Sequence, residues 1–472
     1  MSEAGAGVRA GLLAGAAAIV VATFLLHYRF ILQHFSNGPY LMDSGWYAYL
    51  MASGDPFLKD PQAVDGLSFY DYHLSPYLSG LSVMFHALGA ASWTAYAIHQ
   101  GTMFALLAGC LCWLAVRHGR GFAPPLLAAT GLFMLLGEIV LKIASYPHFE
   151  IALPAFGMLG VVLLVEKRPG LAVLPLAATC LVREDGGLYA AFFVLATLLV
   201  VEPLPRRLPA LLARRRLWLA AACLLFSGLM FGLKQVLFWR FPVFAADFSG
   251  QGWSHLSPAF FGGRLLGVLA QPAFLVTAIA AGLLVFRSWR YLAFFLLALP
   301  LFAVQMAALR WELGLFAHYY AIPWLLVWLG IFLVAALRAG RGEMRLAEPL
   351  IILAGVLFGS ATLLALTGQP SAQFVASSAI ASDVTDLASL RQAVTDALAG
   401  HADACVSAGV AALAPDRYAP NQVLSGSPQV EHCRFVLNFR GDVFHDGIEA
   451  AIKAAGLSPE GLVGDRIEAY SR

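Results

Sequence analysis

The sequence predicts an all-α polytopic membrane protein of about eleven transmembrane helices carrying a small soluble α/β domain at its C-terminal end. Three observations predict it. Apolar runs of near-bilayer length recur along residues 1–368. Basic residues gather in alternate loops between those runs. After Gly368 the composition turns polar, rich in Asp, Ala and Ser. The balance of residue types agrees. Of the chain, 60% is hydrophobic and 12% charged, where soluble domains carry about 25% charged residues. The mean hydropathy is +0.74. A surface this poor in charge needs lipid as part of its solvent. The net charge is only +2 and no basic tract resembles a nucleic-acid footprint, so nucleic acid is not an expected partner.

A span needs about 20 apolar residues. Candidates fall near 10–26, 95–116, 124–142, 151–165, 171–182, 187–201, 217–237, 265–285, 291–309, 319–337 and 349–367. The first follows Arg9. It reads as a retained span, because His27–Phe35 offers no small-residue cleavage site. With the N-terminus in the cytoplasm, the cytoplasmic loops hold Arg117 and Arg120, Lys167 and Arg168, Arg206, Arg207, Arg214, Arg215 and Arg216, Arg287 and Arg290, and Arg338, Arg341 and Arg345. A further span at 74–90 would send Arg117 and Arg120 outside. Leu74–Ala90 is therefore expected as an interfacial or re-entrant helix.

This topology collects the polar and acidic residues on the non-cytoplasmic face, in the long first loop 27–94 and at 142–150, 183–187, 238–264 and 310–320. It also places domain 369–472 outside the cytoplasm of a bacterial inner membrane, with the bilayer itself as a partner. Helices are expected there near Leu387–Ala399 and Gly447–Ala455, and strands near Ala404–Val410 and Arg434–Arg440. Cys405 and Cys433 are a candidate disulfide on an oxidising side. Cys110, Cys112, Cys180 and Cys223 read as small buried hydrophobes, and no pair has zinc-like spacing.

Charges beside spans are expensive, which makes them functional candidates. Asp43 leads, in Tyr40-Leu41-Met42-Asp43-Ser44-Gly45-Trp46-Tyr47. It suits a general base or a metal ligand at a cavity mouth, and equally a helix N-cap. Asp71 and His73, in Tyr70-Asp71-Tyr72-His73, suit an acid–base pair or a polar cap. Lys142, His148 and Glu150 suit phosphate or divalent-metal binding, or mutual pairing. Three consecutive charges, Arg183, Glu184 and Asp185, cannot all face lipid. Arg183 suits a bidentate phosphate contact, with Glu184 or Asp185 orienting it or an acceptor. Arg310, Glu312, His318, Tyr319 and Tyr320 suit an ion pair and a sugar or phosphate wall, or a membrane aromatic belt. Asp43, Asp71, His148 and Glu150 are the candidate ligands for Mg²⁺ or Mn²⁺; no cofactor is otherwise implied. No GxSxG elbow, Walker loop, HExxH or Rossmann fingerprint stands in a supporting context, which argues against nucleotide hydrolysis.

Five of these motifs, in this order, resemble those of a domain-of-unknown-function family of bacterial and archaeal membrane proteins related to the GT-C glycosyltransferases. They are Asp43-Ser44-Gly45, Asp71-Tyr72-His73-Leu74-Ser75-Pro76, His148-Phe149-Glu150, Arg183-Glu184-Asp185-Gly186-Gly187 and His318-Tyr319. The chain departs from the family pattern in the tyrosine between Asp71 and His73, and in Arg183 where the family has lysine. The resemblance implies a GT-C-like fold. It also implies a polyprenyl-phosphate sugar donor, a glycan, lipid or protein acceptor, and transfer on the non-cytoplasmic side with Asp43 as base or metal ligand. Two other classes remain: a lipid or solute transporter, and a non-catalytic assembly protein of a surface-polysaccharide system.

Overall fold

The computed structural model describes residues 3–37, 41–59, 68–201, 215–238, 254–361, 363, 386–401, 403–418, 422–424, 430–442 and 444–472. The chain is mostly helical, with a small sheet at its C-terminal end. The expected basic residues Arg206, Arg207 and Arg214, most of loop 238–264 and the boundary at 368/369 lie outside the described residues.

Helix α1 (Glu3–Asn37) runs for 35 residues, about 52 Å. That exceeds the roughly 30 Å hydrocarbon core. His27–Phe35, expected in the first loop, is its last three turns. No glycine or proline interrupts the run from Ala16 to Asn37, so nothing stops the helix earlier. Helix α2 (Leu41–Ala52) carries Asp43 in its first turn. Helix α3 (Pro76–Ala87) is capped by Ser75, which accepts the Leu78 N–H, and has Pro at its first position. At 12 residues it is about 18 Å long, too short to cross a bilayer. Val83, Met84 and Leu88 on it are exposed.

Helix α4 (Ser92–His118) packs along α1. Helices α5 (Ala123–Leu136) and α6 (Glu138–Ser145) break at Gly137, where the Glu138 N–H turns to Gly359 O, 3.0 Å away. Helices α7 (Ala152–Val165), α8 (Pro169–Val182) and α9 (Gly186–Val201) form an antiparallel set, with only Arg183–Asp185 joining the last two. The turn is this tight because a Cβ at Gly186 would stand 2.2 Å from Thr179 O. Helix Ile322–Gly340 is apolar all round and buried throughout, which makes it the centre of the bundle.

Among the described residues, four helices can cross a membrane by length and composition: Gly7–Ser36, Ser92–His118, Arg215–Leu237 and Trp311–Gly340. A fifth is counted if Pro258–Leu269 and Pro272–Val285, bent by 92°, form one span. The expected count of about eleven is not reached on this criterion, because six further apolar helices have only 10–17 residues.

The sheet orders its strands β2-β1-β3-β5-β4. They are β1 (Ala404–Ser407), β2 (Val423–Leu424), β3 (Phe435–Phe439), β4 (Ser458–Val463) and β5 (Ile467–Ser471). β1 pairs in parallel with β2 and β3, while β3 and β4 flank β5 antiparallel. β3 is buried along its whole length, as its unbroken Phe-Val-Leu run predicts. Helices Leu387–Ala397 and His445–Ala454 accompany the sheet. The strand expected over Ala404–Val410 ends at Ser407. The Gly409 N–H is drawn off the ladder to Asp442 Oδ2 at 2.6 Å, and a short helix Ala408–Ala411 follows. Cys405 and Cys433 are disulfide-bonded, tying β1 to the approach of β3.

Candidate functional site

The site forms where α2, the loop after α6, the α8–α9 turn and the segment before Ile322 meet. Tyr146-Pro147-His148 is the pivot. Proline keeps Tyr146 out of helical conformation. Two residues of α4 then pin the loop backbone: the Tyr96 hydroxyl donates to Pro147 O at 2.7 Å, and Gln100 Nε2 donates to His148 O at 2.9 Å. His148 is the extended residue before the turn Phe149–Ile151, so its ring projects toward α2.

There it joins a chain of charges. His148 Nδ1 lies 2.9 Å from Glu150 Oε2, and its Nε2 lies 3.9 Å from Asp43 Oδ2. Nε2 is buried and makes no hydrogen bond among the described residues. The Tyr146 hydroxyl donates to the same Asp43 oxygen. Glu150 Oε1 accepts from Arg183 Nη1 at 3.1 Å. Arg183 closes on Asp185 through two bonds, Nε to Oδ1 at 2.8 Å and Nη2 to Oδ2. The Asp43 side chain is 36% exposed while that of His148 is 5% exposed. The chain of charges therefore ends at an open carboxylate and is buried behind it.

The electrostatics follow. Burial pushes the Asp43 carboxyl up, but His148, Tyr146 and Arg310 outweigh it and hold Asp43 below the usual carboxylate range. Burial also opposes charge on Glu150, yet His148 and Arg183 bring it down to about 2. The His148 imidazole resists burial and rises above its ordinary value because Glu150 and Asp43 face it. Burial and Asp43 push the Tyr146 hydroxyl up, so it stays protonated and donates. Asp43 is thus an anion whose Oδ2 takes the Tyr146 hydroxyl and faces His148.

Aromatic rings wall the anion. Tyr319 lies on His148 with centroids 3.6 Å apart, and Tyr47 meets that ring edge-on at 4.7 Å. His318 lies 5.4 Å from the Tyr146 ring and has φ +52°, the left-handed region that few side chains adopt. Arg310 is half exposed, 3.6 Å from Glu312, and its guanidinium stands over the Tyr320 ring.

Several expected pairings differ. Asp71 does not orient His73. It closes a capping box with Ser68, accepting the Ser68 N–H at 3.0 Å. His73 instead pairs with Glu184 at 2.9 Å, whose other oxygen takes the Leu74 N–H. Glu184 thereby anchors the start of α3. Lys142 points away from His148 and Glu150, bonding Gln271 and lying over Phe274. Lys142 belongs to α6, whereas His148 and Glu150 lie in the loop and turn after it. Arg183 already gives three of its five guanidinium N–H groups to Asp185 and Glu150. The four candidate metal ligands also fail to converge. Asp71 is a cap, both Glu150 oxygens are taken, and among the described residues no group of three ligating side chains includes any of the four. Tyr146 and Tyr47 complete the site although composition did not single them out. Tyr146 stands in the quoted Tyr146-Pro147-His148 run, but its partner is 103 residues away.

No family model matches the chain, and neither a curated protein nor a solved structure is similar to it.

Proposed function

We propose that this chain is an eleven-span membrane glycosyltransferase, GT-C-like. It would move a sugar from a polyprenyl-phosphate donor to an acceptor hydroxyl on the non-cytoplasmic side. The observation that carries the reading is the state of Asp43: ionised, half open, held through one oxygen by Tyr146 and His148, and walled by tyrosines. The long helices, the bent pair and the six shorter apolar helices each fall on one of the expected spans. Five of these meet the length of a span, and the six shorter ones share the positions of expected spans without their length.

The chemistry is an inverting displacement. The acceptor hydroxyl approaches the Asp43 carboxylate, and its proton passes to that carboxylate. The new C–O bond forms at the anomeric carbon as the bond to the lipid phosphate breaks. The phosphate leaves with the electron pair. It is already a good leaving group and needs mainly a cation. Arg310 is the guanidinium whose charge acts on Asp43 from the exposed side, so it takes the phosphate-facing role first expected of Arg183.

One feature favours transport instead. The bent pair Pro258–Leu269 and Pro272–Val285 breaks at Gln271, which bonds Lys142 of α6, and Glu138 on α6 has its Oε2 buried without a partner among the described residues. The test is transfer of radiolabelled sugar by purified protein from a panel of polyprenyl-phosphate sugars to lipid-extract acceptors. Asp43→Asn is run alongside. Label reaching product with the wild type and not with Asp43→Asn is expected. Equal transfer by the variant removes Asp43 from the mechanism, and no transfer by folded wild type favours transport.

A further inference from the structure

Helix α2 touches more than the membrane bundle. Gly45, two residues beyond Asp43, lies directly against the C-terminal domain. A Cβ placed on Gly45 would stand 2.4 Å from Ala412 Cα and 2.8 Å from Ala412 O. Both of those atoms are backbone, so the contact has no slack. The turn Pro415–Arg417 also meets α2. On the other side of Asp43, Arg466 Nη1 donates to Ser36 O near the end of α1, at 3.1 Å. The same small domain therefore grips the chain before and after Asp43.

The gripping segment is itself stiff. Val410–Ala414 is buried throughout. Its start is fixed by Asp442, which accepts the Gly409 N–H at 2.6 Å and the Phe444 N–H at 2.9 Å. Ser407 Oγ accepts the Phe439 N–H at 2.9 Å, locking the segment to β3. A continuous set of short contacts thus runs from the sheet through Asp442, Gly409 and Ala412 to Gly45.

We propose that the C-terminal domain acts as a clamp that sets the position of Asp43, with Gly45 and Arg466 as positioning residues, rather than as a module that only selects an acceptor. The inference rests on the glycosyltransferase reading for its kinetic consequence, but not for its structural one. A carboxylate displaced by about 1 Å loses roughly a hundredfold in rate. The acceptor hydroxyl must meet Asp43 at hydrogen-bond distance, whereas donor binding relies on other groups.

The test uses the full chain in detergent or nanodiscs, with Gly45→Ala, Arg466→Ala, Arg466→Lys and the distant surface variant Lys453→Ala. Amide hydrogen exchange is read over residues 43–52 and 408–418. Gly45→Ala and Arg466→Ala are expected to speed exchange in both segments by about tenfold. Arg466→Lys should restore part of the protection, and Lys453→Ala should leave it unchanged. In the transfer assay, Gly45→Ala should lower kcat while donor KM stays close to wild type. Wild-type exchange in both segments of Arg466→Ala and Gly45→Ala overturns the clamp, whatever the activity shows. An inactive wild type with the expected exchange changes overturns the enzyme reading and leaves the clamp standing. Should Gly45→Ala fail to fold, Arg466→Ala decides alone, with Arg466→Lys keeping the charge beside Asp465 as its control.

Discussion

Tyr319 lies flat on His148, with ring centroids 3.6 Å apart and planes 11° apart. The two residues come from distant parts of the chain, and the stack fixes the ring that faces Asp43. Such stacks contribute about 0.5–1.5 kcal/mol beyond burial. Tyr319→Phe keeps the face and should retain most of the transfer rate. Tyr319→Ala frees the ring to tilt and should lower kcat by about tenfold. Equal rates for both variants in the radiolabel assay would show that the stack is idle.

The Tyr146 hydroxyl stabilises Asp43 as an anion. Removing it raises the Asp43 pKa, because one of the groups favouring the charged form is lost. In Tyr146→Phe the acid limb of the rate–pH profile should therefore move to higher pH. The protein should remain folded, since the phenyl ring keeps its contacts with His318 and Tyr319. An acid limb that stays in place would mean that another group controls it.

Glu150 and His148 make stability depend on pH in opposite directions. The Glu150 pKa falls from 4.5 unfolded to about 2 folded. Its contribution is complete above 4.5 and disappears as pH falls toward 2. The folded-state pKa of His148 is raised above 6.5. Its contribution is complete below 6.5 and is lost as pH rises through the raised value. Glu150→Gln leaves Arg183 and His148 short of a buried partner and should cost about 3–5 kcal/mol near pH 6. The gap between wild type and variant in thermal melts should narrow on acidification below 4.5. A gap that widens there contradicts the assignment.

Cys405 and Cys433 close a loop across a sequence separation of 28 residues. Replacing both with serine should lower the stability of the C-terminal domain by about 2–4 kcal/mol. Peptide mapping without reductant should recover the two cysteines linked. Chemical labelling by a membrane-impermeant maleimide at Lys453→Cys should occur in intact cells if the domain lies outside the cytoplasm. Labelling only after lysis would reverse the orientation drawn from Arg117, Arg120 and the other basic loops.

The sequence made the helical bundle legible because apolar runs record burial and lipid contact directly. It located Asp43, His148, Glu150 and the Arg183–Asp185 turn because charge beside a span has few bland explanations. It could not say which of them pair. Asp71 and His73 are neighbours in sequence, yet one caps its own turn and the other reaches Glu184 across a separation of 111 residues. Lys142 looked close to His148, but the loop after α6 turns the two apart. The hairpin of β4 and β5 also escaped notice. β4 is an exposed edge strand containing Pro459 and Gly461, and it lacks the alternation that marks a half-buried strand.

Arg466 and Ser36 are 430 residues apart in sequence yet hydrogen-bonded in the fold. During synthesis, α1 and the Asp43 segment emerge long before the strands that grip them. The contacts on either side of Asp43 therefore form only when the last strands fold. A truncated or stalled product would carry every charged residue of the site and still lack those two contacts. A premature stop after the final span should for that reason be silent in the transfer assay, while remaining membrane-inserted.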